Sequence, residues 1–342
     1  MRSVRAKIRL PRASRKLALI VCLACSVGAT AQVRYRLATR EVIEGRLKSF
    51  STKNSEREAL IRKWLAGSGC KDSDLSEQSL ERKLPPNVIC VLPGNTQEVI
   101  IVGAHTDHVD EFGDGVVDNW TGASLLPSLL YSLAAQSRRH TFVLVGFSAE
   151  EKGLVGSAYY AEHLTNEQRA RIAAMVNLDS LGLGPTEVWA THADKTLLDS
   201  LAAVAAASRL PVAVMNVDNL GSADSESFAH YHIPRITLHS VTQETWPILH
   251  SPKDKLNAIK INDYYDSYRL IAAYLAYLDE ELGKPAGSVD PGLRPGLGGS
   301  ETRPPHSHPH TVSAARGLSG RERPIPAAAR SFQIPPTTGA GD

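Results

Sequence analysis

This 342-residue chain has no apolar run near the roughly 20 residues that a bilayer-spanning helix needs; the clearest one, Leu17-Ala-Leu-Ile-Val-Cys-Leu-Ala-Cys25, is less than half that length. A stable membrane span is therefore not expected. A basic surplus is also missing. The formal net charge is +2, but seven of the 38 Lys+Arg fall in the first 31 residues, where there is no acid. Residues 32–342 keep 31 Lys+Arg against 36 Asp+Glu, a net of −5, which gives no basic surface for nucleic acid. No internal repeat is visible, so a solenoid or propeller is not indicated. Cysteine is scarce, with four in all, which excludes a disulfide-dense scaffold.

The hydrophobic content, 42%, is ample for a buried core. The basic stretch through Lys16, the apolar run, and Ala29-Thr-Ala31 together read as a secretory signal peptide over residues 1–31, cleaved after about Ala31. A lipidated cysteine fits less well, because Cys22-Leu-Ala precedes Cys25. The mature chain is thus expected in the periplasm or outside the cell. It keeps Cys70 and Cys90, an even number that suggests one disulfide; two buried thiols is the other reading, since Cys90 lies in the apolar stretch Val88-Ile-Cys-Val-Leu92. From residue 285 to 342 Pro, Gly, Ser, Thr and Ala dominate without periodicity, the composition of a disordered tail. Its Pro305-His-Ser-His-Pro-His310 tract reads as a solvated linker before a metal site. A single folded domain is expected over residues 32–284.

Within that domain, short apolar runs alternate with helical patterns. Strands are expected at Val88–Leu92, Val99–Ala104, Thr141–Phe147, Ala174–Leu178, Val188–Ala190 and Arg235–Leu238. Helices are expected at Ser55–Ala66, Gly122–Gln136, Gly153–His163, Lys195–Ser208 and Asn262–Leu282, with Pro127 kinking the second or marking its first turns. Near-continuously apolar strands separated by helices imply an α/β fold: a doubly wound, mostly parallel sheet with helices on both faces. Ligands in such sheets bind beyond the carboxyl ends of the strands. His105, the pair Glu150-Glu151, and Asp179 each follow a different predicted strand, so three strands deliver imidazole or acid groups to one edge.

These residue types suit zinc, which takes imidazole nitrogen and carboxylate oxygen. In His105-Thr-Asp107 the outer side chains face the same way if the chain stays extended, so His105 can bind metal while Asp107 orients its ring. Taken alone, the motif fits an ordinary surface loop equally well. Asp118 sits in the glycine-rich stretch Phe112-Gly-Asp-Gly-Val-Val-Asp-Asn-Trp-Thr-Gly122; its two oxygens could bridge two ions, or it could cap the helix that follows. Asp114, between two glycines, reads as a turn residue. The adjacent acids Glu150-Glu151 repel each other and call for a cation or a shared proton. One can ligate while the other serves as general base; a solvated pair opening a helix is the alternative. Asp179 and His250 are ambiguous in isolation.

As an ordered set, Gly103-Ala-His-Thr-Asp107, Asp118-Asn119, Phe147-Ser-Ala-Glu-Glu151, Asn177-Leu-Asp179 and His250-Ser-Pro-Lys-Asp254 resemble the zinc exopeptidase family that includes bacterial leucyl aminopeptidases, glutamate carboxypeptidases and glutaminyl cyclases. The resemblance covers about Val88 to Asn257. It implies two zinc ions bridged by Asp118, with His105 and Asp179 completing one site and Glu151 and His250 the other. It further implies Glu150 as general base, Asp107 as support for His105, and a cis peptide at Asp118-Asn119. The implied activity is hydrolysis of peptide substrates at a chain end by a zinc-bound hydroxide. An aminopeptidase is favoured, since the domain is compact. A glutaminyl cyclase and a non-catalytic relative are the alternatives. Two departures stand out: Trp120 occupies a position where a small residue is common, and Ser225 replaces the family's His after Asp224.

Overall fold

The computed structural model describes residues 35–80, 84–218 and 221–283; the expected signal segment and the Pro/Gly-rich tail lie outside them. Among the described residues, helices α1 (Arg40–Lys48) and α2 (Asn54–Gly67) precede strands β1 (Leu75–Gln78), β2 (Asn87–Leu92) and β3 (Val99–His105). Helix α3 (Thr121–Leu133), strand β4 (Thr141–Phe147), helices α4 (Val155–Glu162) and α5 (Asn166–Ala170), and strands β5 (Ile172–Leu178) and β6 (Thr186–Val188) follow. The domain closes with α6 (Lys195–Ser208), β7 (Val212–Val214), α7 (Glu226–Ala229), β8 (Arg235–His239) and α8 (Ile261–Glu281).

The strands form one mixed sheet in the order β1-β2-β4-β3-β5-β8-β6-β7. Its centre, β4-β3-β5-β8, is parallel, whereas β1-β2, β2-β4 and β6-β8 are antiparallel. The α/β architecture therefore matches the expectation, with antiparallel margins added to the parallel core. Alternation along each strand assigns its side chains to opposite faces. In β3, Ile100, Val102 and Ala104 join the larger core with side chains of α1, α2, α3, α6 and α8. Val99 and Ile101 face the smaller core, with Tyr160 and Ala161 of α4 and Phe228 of α7. The register between β3 and β5 shifts so that Val99 pairs with Ile172 but Ile100 with Ala174. That one-residue slip puts Ile172 in the smaller core and Ala174, Val176 and Leu178 in the larger one.

Local signals account for several helix ends. Asp194 caps α6 by accepting from the Thr196 and Leu197 N–H groups, and Thr165 with Gln168 forms a capping box on α5. Helix α3 runs on through Pro127. The fifth expected strand lies two residues earlier than its apolar pattern suggests, because Ala190 opens a 3-10 turn. Cys70 and Cys90 form a disulfide with Cα atoms 6.1 Å apart, joining the segment after α2 to β2. No helix among the described residues is long and apolar enough to cross a membrane.

Candidate active site

The parallel strands end side by side, and each end carries part of a polar cluster. His105 is the last residue of β3 and is almost wholly buried. Its position is held by Thr106, whose backbone N–H and hydroxyl both donate to the Phe147 carbonyl at the end of β4. The ring Nδ1 lies 3.1 Å from the Asp107 carbonyl oxygen; a carbonyl can only accept, so Nδ1 carries the proton and Nε2 faces the cluster. The Asp107 carboxylate is 3.7 Å from that ring and makes closer bonds elsewhere. It accepts from the Glu150 N–H at 3.0 Å and the Glu151 N–H at 3.3 Å. Asp107 thus touches His105 mainly through its backbone and fixes the turn bearing the two glutamates through its side chain.

Asp118 lies in the loop between β3 and α3. Gly115 enters this loop with φ +57°, and a Cβ there would sit 2.3 Å from the Cβ of His108, so only glycine fits. Asp254 receives the Val117 N–H at 2.6 Å and the Asp118 N–H at 3.1 Å. The Asp118-Asn119 peptide is cis, as the resemblance implied. Asn119 donates to the Leu178 carbonyl and accepts from the Gly122 and Ser180 N–H groups. It thereby ties the loop to the strand end from which Asp179 projects.

The two carboxylate oxygens of Asp118 face different partners. Oδ1 lies 3.1 Å from His105 Nε2, which is also 3.5 Å from Asp179 Oδ1. Oδ2 lies 3.1 Å from His250 Nε2, which is 2.8 Å from Glu151 Oε2. Two three-residue donor sets result, His105/Asp118/Asp179 and Asp118/Glu151/His250, each with ligand atoms within 4.8 Å of one another. Glu150 joins His105 and Glu151 in a third grouping. All seven site residues singled out in the sequence are therefore gathered at this edge.

Electrostatics reflect the crowding of acids. Burial pushes the Glu150 carboxyl up to about 10, with Asp224, Asp179 and Asp118 adding to the rise against the pull of His105. Burial likewise raises Glu151 and Asp179. For Asp118 burial acts upward but is outweighed by its bonds to His105 and His250, which hold it below the usual carboxylate range. Those bonds with Asp118 and Glu151 lift His250 to about 10. Asp224, fully buried, is pushed up to about 7 by burial first, with further upward pressure from Asp179 and Asp107. Glu151 Oε1 is buried with no hydrogen-bond partner. An excess of buried carboxylates over imidazoles, with an orphaned oxygen among them, is a donor set that fits divalent cations of the zinc type.

The cluster lines a cavity of about 300 Å³, whose apolar lining includes Trp189, Val241, Trp246 and Leu249. Nothing in the sequence assigned a role to the side chains of Asn119 or Asp254, although both lie in the quoted motifs. A lone Asn or Asp carries no local mark of the backbone groups it will meet 59 or 137 residues away.

Comparisons with known proteins find similar chains and folds. An aminopeptidase of Pseudomonas aeruginosa is 37% identical over 89 residues, 26% of this chain and 16% of the relative. The chain spans less than half the length of the curated relatives it matches first. Among solved structures, a zinc aminopeptidase from Bacillus subtilis is similar with TM-score 0.51 at 23% identity, covering 56% of this chain and 49% of that one. A glutaminyl cyclase from Porphyromonas gingivalis gives TM-score 0.56 at 16% identity, covering 71% and 97%. The model of Peptidase family M28 matches residues 87–275, more than half of the chain and all of the site cluster, and the chain belongs to that family.

Proposed function

We propose that this chain is an exported aminopeptidase that holds two zinc ions and removes N-terminal residues from peptides. One observation carries the two-ion reading: Asp118 turns its two oxygens toward two separate histidines, each with its own second carboxylate. In this reading His105 and Asp179 hold one ion, Glu151 and His250 the other, and Asp118 both. The ions, when bound, supply Lewis acidity toward the scissile carbonyl and lower the pKa of water.

The chain's own residues do the rest. Glu150 accepts a proton from the attacking water on a carboxylate oxygen as the new C–O bond forms. It then delivers that proton to the departing amine nitrogen as the C–N bond breaks. Burial raises its proton affinity, and neighbouring cations would lower it again, so that Glu150 is ionised and able to take the proton. Asp107 keeps Glu150 in place through its backbone N–H. The apolar lining of the cavity accommodates the side chain of the residue released. The disulfide and the signal-like N-terminus support export, because oxidised cysteines persist outside the cytosol.

The glutaminyl cyclase likeness names the competing reading. The two are separated by Glu150→Gln together with metal analysis. We expect two zinc ions per chain in both proteins and release of free N-terminal residues by the wild type, with turnover of amino-acid p-nitroanilides falling at least a thousandfold in the variant, at the upper end of general-base contributions of roughly 10²–10⁴. Near-normal turnover by Glu150→Gln overturns its role as base. One zinc with cyclisation of an N-terminal glutamine overturns the aminopeptidase reading.

A further inference from the structure

The loop that aims Asp118 rests on an arginine from a part of the chain the family match does not reach. Arg57 is 0% exposed, although it lies on α2, well before residue 87 where the family match begins. Its Nε donates to the Ser51 carbonyl, and its Nη2 donates to the carbonyls of Asp114 at 2.6 Å and Gly115 at 2.9 Å. Gly115 is three residues from Asp118. The guanidinium carbon stands 5.6 Å from the ring centre of Trp120, which follows the cis peptide on the other side of Asp118. Trp120 in turn packs 5.6 Å from the Trp64 ring and donates its indole N–H to the Arg46 carbonyl. Helices α1 and α2 therefore grip the loop on both sides of its acidic residue.

Charge points the same way. The anions that act on the Arg57 guanidinium are, in order, Asp254, Asp107, Asp118 and Asp110. Of these, Asp254 bonds the N–H groups of Val117 and Asp118. The loop is thus clamped between a buried cation that takes its carbonyls and a carboxylate that takes its N–H groups. A lysine could keep the charge, but not the planar fork that reaches the Ser51, Asp114 and Gly115 carbonyls at once.

We infer that Arg57 is a positioning residue for metal binding, holding the Asp118 loop so that both carboxylate oxygens stay aimed at the two donor sets, with Trp120 as the contact that seats the loop on α2. The inference rests on the two-zinc reading and adds that zinc affinity is set partly by the N-terminal helices. This also gives Trp120 a purpose where the family commonly has a small residue.

The test uses the full chain stripped of metal, with zinc binding followed by competition against a chromophoric chelator at a temperature where every protein is folded. The proteins are the wild type, Arg57→Met, Arg57→Lys and, as a destabilised control in the same core, Leu201→Ala on α6. Expected are two zinc ions in the wild type and at least a tenfold weaker affinity for one or both in Arg57→Met, the scale seen when groups supporting metal ligands are removed. Arg57→Lys should recover part of the loss. Leu201→Ala should lower the melting temperature and leave zinc affinity unchanged. Wild-type affinity in both Arg57 variants overturns the inference while leaving the two-zinc reading intact, and so does an equal loss in Leu201→Ala. Absence of zinc binding by the wild type overturns the two-zinc reading itself. If Arg57→Met does not fold, Arg57→Lys decides, with undiminished affinity counting against the inference.

Discussion

His239 shows what burial does to one ionisable group. Its Nε2 donates to the Met215 carbonyl and its Nδ1 accepts from the Val241 N–H, so both nitrogens are committed to the neutral ring. Burial pushes its pKa down to about 4, below the ordinary value of about 6.5. The unfolded chain therefore takes up a proton below about pH 6.5 that the folded chain refuses until about pH 4. The stability this group contributes is complete above pH 6.5 and lost as pH falls between those values, to the extent of ~3 kcal/mol. Urea denaturation from pH 7 to 4 should show a shallower decline for His239→Gln than for the wild type; parallel curves would refute the assignment. That His105 and Asp107 belong together was legible in the sequence, but the division of Asp107 into a carbonyl serving His105 and a carboxylate serving Glu150 and Glu151 was not. It depends on a strand end meeting a turn 43 residues away.

Helix α2 illustrates the next scale. Its buried residues, Arg57, Ile61 and Leu65, recur at the four-residue spacing of one helix face. Burying Ile61 and Leu65 contributes about 1.5–3 kcal/mol each, enough to offset the several kcal/mol that desolvating a guanidinium costs before its hydrogen bonds are counted. A charged residue on an apolar stripe was a visible signal in the sequence. Its meaning was not visible, because its partners belong to a loop. The disulfide pins the segment following α2 to β2 across a separation of 20 residues; replacing both cysteines by alanine should cost about 3 kcal/mol by the chain-entropy relation, measured by urea denaturation under oxidising conditions. An unchanged midpoint would show that packing alone holds the helix. Elements the sequence did not suggest are those with little apolar patterning. They include α1, whose buried side chains are Ile43 and Leu47, and the edge strands β1, Leu75-Ser-Glu-Gln78, in which only Gln78 is buried, and β7, in which no residue is. A margin strand gains its hydrogen bonds from a neighbour rather than from its own composition.

For the whole molecule, the dominant feature is a sheet edge at which buried acids outnumber imidazoles. Cations that bind there add their binding free energy to folding, about 1.4 kcal/mol for each tenfold of free zinc above the dissociation constant. Chelation should therefore lower the melting temperature and abolish hydrolysis together, and added zinc should restore both, as read by scanning calorimetry and amide hydrolysis. A melting temperature indifferent to chelator and to zinc would refute metal binding at this edge. Glu150→Gln should keep the zinc-dependent rise in melting temperature while losing turnover, which separates holding the metal from using it.

The sequence by itself determined the α/β class, the central strands, and the fact that His105, Glu150, Glu151 and Asp179 emerge at strand ends. Apolar runs and helical spacing encode burial, and burial sets where strands begin and stop. That Asp118 stands between two histidines was implied by family resemblance and not by any local pattern; tertiary structure alone decided that Asn119 and Asp254 fix the loop backbone around it, and that Arg57 reaches the same loop from a helix far earlier in the chain. Those contacts join residues separated by up to 137 positions. They follow from how helices settle on a twisted sheet, which no local pattern of residues specifies.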